Sequence, residues 1–170
     1  MRGDGSILVV VGLALAACAA ADEPDVVSID GYRGVRMGMT VEEASAAYGS
    51  PLAPAGPVEA GAGCFEIFPG GAAGPLSFMV VEGRVSRVDV ESPEARTATG
   101  VGVGSSESEV QAAYPGGVEV SPHKYTGPEG HYLTVKPREG AALIFETDGS
   151  KVTRYRAGNL PPVAYVEGCL

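Results

Sequence analysis

Only two histidines occur in this chain of 170 residues, His123 and His131, eight positions apart. Two imidazoles on neighbouring segments could ligate a metal or act as acid and base. Their spacing matches neither His-x-x-x-His nor His-Glu-x-x-His, the patterns that aim two rings at one zinc ion. Lys124 stands beside His123 and opposes a bound cation. Both are read as ordinary surface or strand-end histidines, and no metal ligand is expected. No Gly-x-Ser-x-Gly turn presents a nucleophilic serine. Gly100-Val-Gly-Val-Gly104 precedes a helix start and so could cradle a phosphate. No lysine follows it, and its Ser-Ser-Glu continuation puts negative charge where the helix dipole wants it and phosphate does not. Glu42/Glu43 and Glu107/Glu109 pair carboxylates as a glycosidase does. Both pairs sit at helix starts, where capping and dipole roles account for them. The chain is therefore expected not to be an enzyme and to need no cofactor.

A different group suits recognition. Tyr125, His131, Tyr132, Lys136, Arg138, Arg154, Tyr155 and Arg156 gather tyrosine and basic side chains on strands and loops of the C-terminal half. Tyrosine and arginine are enriched at binding hot spots, so these residues form a candidate interface. The competing reading places Tyr132 or Tyr155 in the core.

The elements that would position this group come from a duplicated stretch. Gly34–Tyr48 reads GVRMGMTVEEASAAY, and Gly100–Tyr114 reads GVGVGSSESEVQAAY, 66 positions later. Thr40 with Glu43, and Ser106 with Glu109, form capping boxes that satisfy free amides at a helix start. Val41, Ala44 and Tyr48 share one face, and Gly49 then Ser50-Pro51 end the first helix. Cys64–Phe68 reads as a short strand, and Leu76–Val81 with Arg84–Val90 as a hairpin about Glu82-Gly83. In the second copy Tyr132–Lys136 is the short strand, and Ala141–Thr147 with Lys151–Arg156 the hairpin about Asp148-Gly149. Val163–Val166 is a further edge-strand candidate, and Val26–Val35 an extended lead-in. The expected fold class is α+β: two tandem repeats, 26–92 and 93–170, each a short capped helix followed by about three antiparallel strands.

The N-terminus reads as an address. Ile7–Ala17 is an apolar run of 11 residues, too short for the ~20 that span a bilayer but suited to a signal-peptide core. Leu15-Ala16-Ala17-Cys18 resembles the bacterial lipobox. That resemblance implies cleavage of residues 1–17, lipid on Cys18, and a tether over 18–25. Ala19 differs from the aspartate that resembles an inner-membrane retention signal, so the implied address is the periplasm-facing side of the outer membrane. An ordinary secretory signal cut near Ala17 or Ala19 is the alternative. With Cys18 lipidated, Cys64 and Cys169 are left as an even pair in an oxidising compartment and are expected to form a disulfide, the alternative being two free thiols.

Charge narrows the partners. The net charge is −9, and residues 22–109 carry 14 acids against five arginines. No basic block exists to neutralise phosphates, which argues against nucleic acid. Anionic lipid would repel the chain, so membrane contact is left to the acyl anchor.

The string Gly38-Met39-Thr40-Val41-Glu42-Glu43-Ala44, with its degenerate copy Gly104–Val110, resembles the helix start of the β-lactamase-inhibitor-protein fold and of SmpA/OmlA-type assembly lipoproteins. The resemblance implies that fold and a role in binding another protein. It transfers no functional residue, and the cysteines do not follow the inhibitor's pattern of one disulfide within each repeat. The expected function is a lipid-anchored, non-enzymatic protein-binding or structural module, monomeric or of unknown oligomeric state. Inhibition of a periplasmic enzyme, such as a β-lactamase or a lysozyme-type hydrolase, is one alternative. A small-ligand binder or enzyme using His123 and His131 is the other.

Overall fold

The protein is described by a computed structural model over residues 25–169; Cys18 and the apolar run before it lie outside the described residues. In chain order the elements are β1 (Val26–Val27), β2 (Gly31–Tyr32), β3 (Val35–Arg36), α1 (Val41–Tyr48), β4 (Leu52–Ala53), β5 (Cys64–Pro69), β6 (Leu76–Val81) and β7 (Arg84–Val90). They continue with β8 (Arg96–Thr97), α2 (Glu107–Ala113), β9 (Val118–Pro122), β10 (His131–Arg138), β11 (Ala141–Thr147) and β12 (Val152–Asn159). A 3-10 turn at Pro162–Ala164 follows. The architecture is mixed α and β: two short helices and an antiparallel eight-stranded sheet in the order β4-β5-β6-β7-β12-β11-β10-β9. The sheet is continuous through its middle, where β7 and β12 pair from Val90↔Tyr155 to Arg87↔Gly158.

Local chemistry sets both helices. The Thr40 hydroxyl accepts the Glu43 amide and the Glu43 carboxylate accepts the Thr40 amide; Ser106 and Glu109 do the same. Gly49 closes α1 at φ 79°, a left-handed conformation that glycine takes without a Cβ penalty. Helices of eight and seven residues are not stable alone and depend on the sheet. Each is tied to it in the same way. Gly38 N–H donates to the Val85 carbonyl at 2.7 Å and Val85 N–H to Met39 at 2.8 Å; Gly104 and Ser105 make the corresponding bonds with Val152, both 2.8 Å. Tyr48 packs its edge on Phe78, and Tyr114 lies tilted against Phe145.

The main core lies between helices and sheet. Ala44 and Val110 from the helices meet Phe78, Val80, Val88, Leu133, Phe145 and Tyr155 from the strands. The opposite face carries a smaller apolar cluster, Tyr132, Ala142 and Ile144, capped by Val163. Val163 belongs to residues 160–169, which cross this second face as a strap. Cys169 is bonded to Cys64, so the expected pairing is present and closes a sequence separation of 105.

Three expectations differ from the structure. Val163–Val166 is not an edge strand: its first residues turn in a 3-10 helix, because Pro161 and Pro162 lack ladder donors and the strap's carbonyls are bonded by arginines of the sheet. Val118–Pro122 is a strand, where none was expected, and it forms the sheet's edge. Leu52–Ala53, outside the expected strands, pairs with β5 at the other edge.

Candidate functional site

The strap-covered face is where charge concentrates. Strand alternation puts Glu146, Arg154, Arg156, Arg87 and Asp89 on the side away from the helices. Glu146 is 2% exposed on a strand whose every residue is buried. An isolated carboxylate there would be costly, so its oxygens must be satisfied. Arg154 Nε donates to Oε2 at 2.7 Å, His123 Nε2 donates to Oε2 at 3.0 Å, and Arg156 Nη1 bonds Oε1. His123 Nδ1 accepts the backbone N–H groups of Tyr125 and Thr126, which places the ring proton on Nε2. Burial pushes the Glu146 carboxyl up, but the bonds from Arg154 and His123 and the charges of both arginines outweigh it and hold the group below the ordinary carboxylate range. For Arg156 burial wins, and its guanidinium lies below the usual arginine value despite Glu146.

This network holds the strap. Arg156 Nε donates to the Val163 carbonyl at 2.6 Å. Arg87 Nη1 reaches the carbonyls of Pro162 and Tyr165, at 3.1 and 2.8 Å, while its Nε pairs with Asp89 at 2.7 Å. Two buried guanidinium groups therefore take the place that ladder amides would have in an added strand.

Three hollows adjoin where the strap ends. One of about 400 Å³ is lined by Cys64, Tyr165, Val166 and Cys169; one of about 350 Å³ by Glu66, Asp89, Glu91 and the three arginines; one of about 460 Å³ by Val58, Phe65 and Glu66. Glu167 and Gly168 border all three. At the rim, Glu167 is bonded by Lys124 and Tyr125, which hold its carboxyl below the ordinary range. Tyr125 and Tyr165 are 58% and 40% exposed.

The structure does not bring the eight expected interface residues together. Tyr155 is buried in the main core, stacked on Phe145, and its hydroxyl donates to the Ala95 carbonyl, so it belongs to the helix side. Tyr132 and Arg156 are buried under the strap, Tyr132 stacked on His123. Lys136 pairs with Glu119 and Arg138 with Asp30, both exposed and away from the hollows. His131 is half-buried beside α2. Of the eight, Arg154, Tyr155 and Arg156 border the 350 Å³ hollow, and Tyr125 stands at the rim through its bond to Glu167. Sequence reasoning missed Glu146, Arg87, Glu66, Glu91, Glu167 and Tyr165. A signal for Glu146 was present: a lone acid in the apolar run Ala141–Thr147, facing Arg154 across the hairpin.

The histidines are engaged internally. Of the two readings, surface or strand-end, His123 fits the second: it directly follows β9 and is buried. His131 Nδ1 pairs with Glu107 Oε1 at 2.8 Å, and the Thr147 hydroxyl donates to that same oxygen. A nucleophile needs its hydroxyl on the imidazole; here the carboxylate stands between them, and Thr147 is buried. The trio fastens the first turn of α2 to β10 and β11. Glu107 thus does more than complement the dipole. Among the described residues no group of three or more His, Cys, Asp or Glu side chains is arranged to hold a metal ion, and no helix is long and apolar enough to cross a membrane.

No protein-family model matches the chain, and no curated protein matches it. Among solved structures it is similar to an extracellular protein containing an SCP domain from Bacillus anthracis, at 12% identity and a TM-score of 0.49. That alignment covers 86% of this chain and 50% of the other, so the chain spans about half the length of the protein it matches.

Proposed function

We propose that the chain is a lipid-anchored lipoprotein of the cell envelope, facing the periplasm from the outer membrane, that binds another protein and performs no catalysis. In this reading residues 1–17 are a signal peptide, Cys18 carries lipid, and 26–92 and 93–170 are two β-lactamase-inhibitor-protein-like repeats. Support for duplication comes from the paired capping boxes and from the matching bonds of Gly38 with Val85 and of Gly104 with Val152. Support for the anchor is the Leu15-Ala-Ala-Cys18 string.

The observation that carries the binding role is the strap-side surface. There two exposed tyrosines, the disulfide and an incompletely paired set of charges border three adjoining hollows. Concave ground with aromatic and arginine side chains is what protein interfaces use. The two histidines, by contrast, are spent on fastening elements together.

Two measurements test the proposal. Membrane fractionation should find the wild-type chain in the outer membrane and a Cys18→Ser chain in the soluble periplasm; equal distribution refutes the anchor. The released Cys18→Ser protein, immobilised, should retain one stoichiometric partner from detergent-solubilised envelope of the source cell. Failure of the folded, disulfide-bonded protein to retain any partner refutes the binding role.

A further inference from the structure

We infer that the groove beside the strap docks an extended basic segment of a partner protein, seating one ammonium or guanidinium group against Glu66 and an apolar side chain against Tyr165 and Val166. This rests on the binding role proposed above and gives it a chemistry.

Glu66 is the starting point. It sits mid-way along β5 and lines both the 350 Å³ and the 460 Å³ hollow. It is half-buried, yet among the described residues its carboxylate makes no hydrogen bond and no ion pair. Burial and the neighbouring charge of Asp89 push its carboxyl up, more than Arg87 draws it down. Nearby cations do not serve it because they are committed. Arg87 is held by Asp89 and two strap carbonyls, and Arg156 by Glu146 and a third. Arg154 gives its Nε to Glu146 and stands 4.0 Å from Glu91, an exposed contact of little energetic weight. Each of the three guanidinium groups is thus paired with another acid, and none bonds Glu66.

The sign of the ligand follows. Glu66, Asp89, Glu91 and Glu167 line the second hollow against three guanidinium groups, and Glu146 lies beneath two of these. The cations that an anion would need are already neutralised, whereas a cation finds an unpaired carboxylate. The chain's net charge of −9 steers the same way. The adjoining hollow has a different character. Tyr165, Val166 and the Cys64–Cys169 bridge make it apolar, and Lys124 there is bound to Glu167. A ligand filling both must carry a cationic group and an apolar group on a chain that crosses the strap's end. An extended peptide segment has that form.

The test uses the purified protein in detergent and three probes at low salt: Ac-Lys-Ala-Leu-Ala-Lys-amide, its glutamate counterpart, and spermidine. The lysine peptide is expected to bind saturably, Glu66→Gln to weaken it at least tenfold, and Glu119→Gln to leave it unchanged. Glu119→Gln removes the same charge from a distant strand. Circular dichroism and the thermal midpoint establish that each variant is folded. Equal affinity for Glu66→Gln and wild type, equal loss in Glu119→Gln, preference for the glutamate peptide, or no saturable binding overturns the inference. Spermidine binding as tightly as the peptide overturns it in favour of a small-polyamine site. An envelope partner retained undiminished by Glu66→Gln would sink this inference while leaving the binding role intact.

Discussion

Glu146→Ala is the sharpest probe of what holds the strap. The substitution removes a carboxylate 2% exposed that accepts from Arg154, Arg156 and His123. It leaves the Arg156 guanidinium, 4% exposed, with the Val163 carbonyl as its remaining hydrogen-bond partner, and it leaves the His123 Nε2–H without an acceptor. Breaking a buried ion pair by removing one partner costs about 3–5 kcal/mol, because the charge left behind is uncompensated. The lost methylene adds to that, while Arg154, partly exposed, recovers water and adds little. The expected loss is therefore about 3–5 kcal/mol, out of the ~5–15 kcal/mol that holds a domain together. Urea unfolding at neutral pH, followed by far-UV circular dichroism, measures it as a lower midpoint at unchanged slope. A loss below ~1 kcal/mol would refute the reasoning, since it would mean that Arg156 finds solvent or another acceptor at no cost. A cycle with Arg156→Met separates the pair: the two losses should be sub-additive, the double variant sparing the orphaned charge. The pH dependence has a definite sign. The folded carboxyl lies below its ordinary range, so its stabilisation is complete above that range and is lost as pH falls through it and below. Glu146→Ala should flatten that acid limb of the stability curve.

Other outcomes follow from the same structure. Cys64→Ser with Cys169→Ser should lower stability by about 4–5 kcal/mol in the chain-entropy model, given the separation of 105, read as a drop in the urea midpoint that reductant reproduces in wild type. Gly158→Ala should destabilise strongly: φ is 152°, and a Cβ would meet the Ser86 carbonyl oxygen at 2.3 Å across the β7–β12 seam. Thermal unfolding checks it, and an unchanged midpoint would mean that the seam is not as described. Thr40→Ala and Ser106→Ala should each cost about 1 kcal/mol by loss of an N-cap, measured by urea unfolding. Glu43 and Glu109 are held below the ordinary range by the amides they cap, so this capping weakens as pH falls through that range.

What was legible in the sequence was local. Thr40-x-x-Glu43 and Ser106-x-x-Glu109 contain both partners of their own hydrogen bonds, so the helix starts could be read without the rest of the chain. Glu82-Gly83 and Asp148-Gly149 announced the hairpins because their turns demand those residue types; Asp148 Oδ1 accepts the amides of Ser150 and Lys151. The Cys64–Cys169 bond came from counting. The rest depended on distant partners. β9 carries two valines and ends at Pro122, too weak a pattern to name, and becomes a strand because β10 offers it a ladder. The strap has two consecutive prolines and no periodicity; Arg87, 75 positions before Pro162, fixes its course. The Tyr/Arg group failed as one surface for a reason the sequence did contain. Arg154, Tyr155 and Arg156 are consecutive in a strand, so alternate residues must face opposite ways.

The seam between β7 and β12 also fixes an order of events. β7 is complete by Val90, but its second partner, β12, begins only at Val152, and the strap's bond waits for Cys169. During synthesis the first four strands of the sheet precede the second four, and one side of β7 stays an unpaired edge until β12 has emerged. An edge of that kind pairs readily with another chain. Truncation before residue 152 removes the strand that covers it, and truncation before 169 removes the bond that locks the strap over it. Nonsense products of this protein should therefore aggregate rather than persist as a folded N-terminal half.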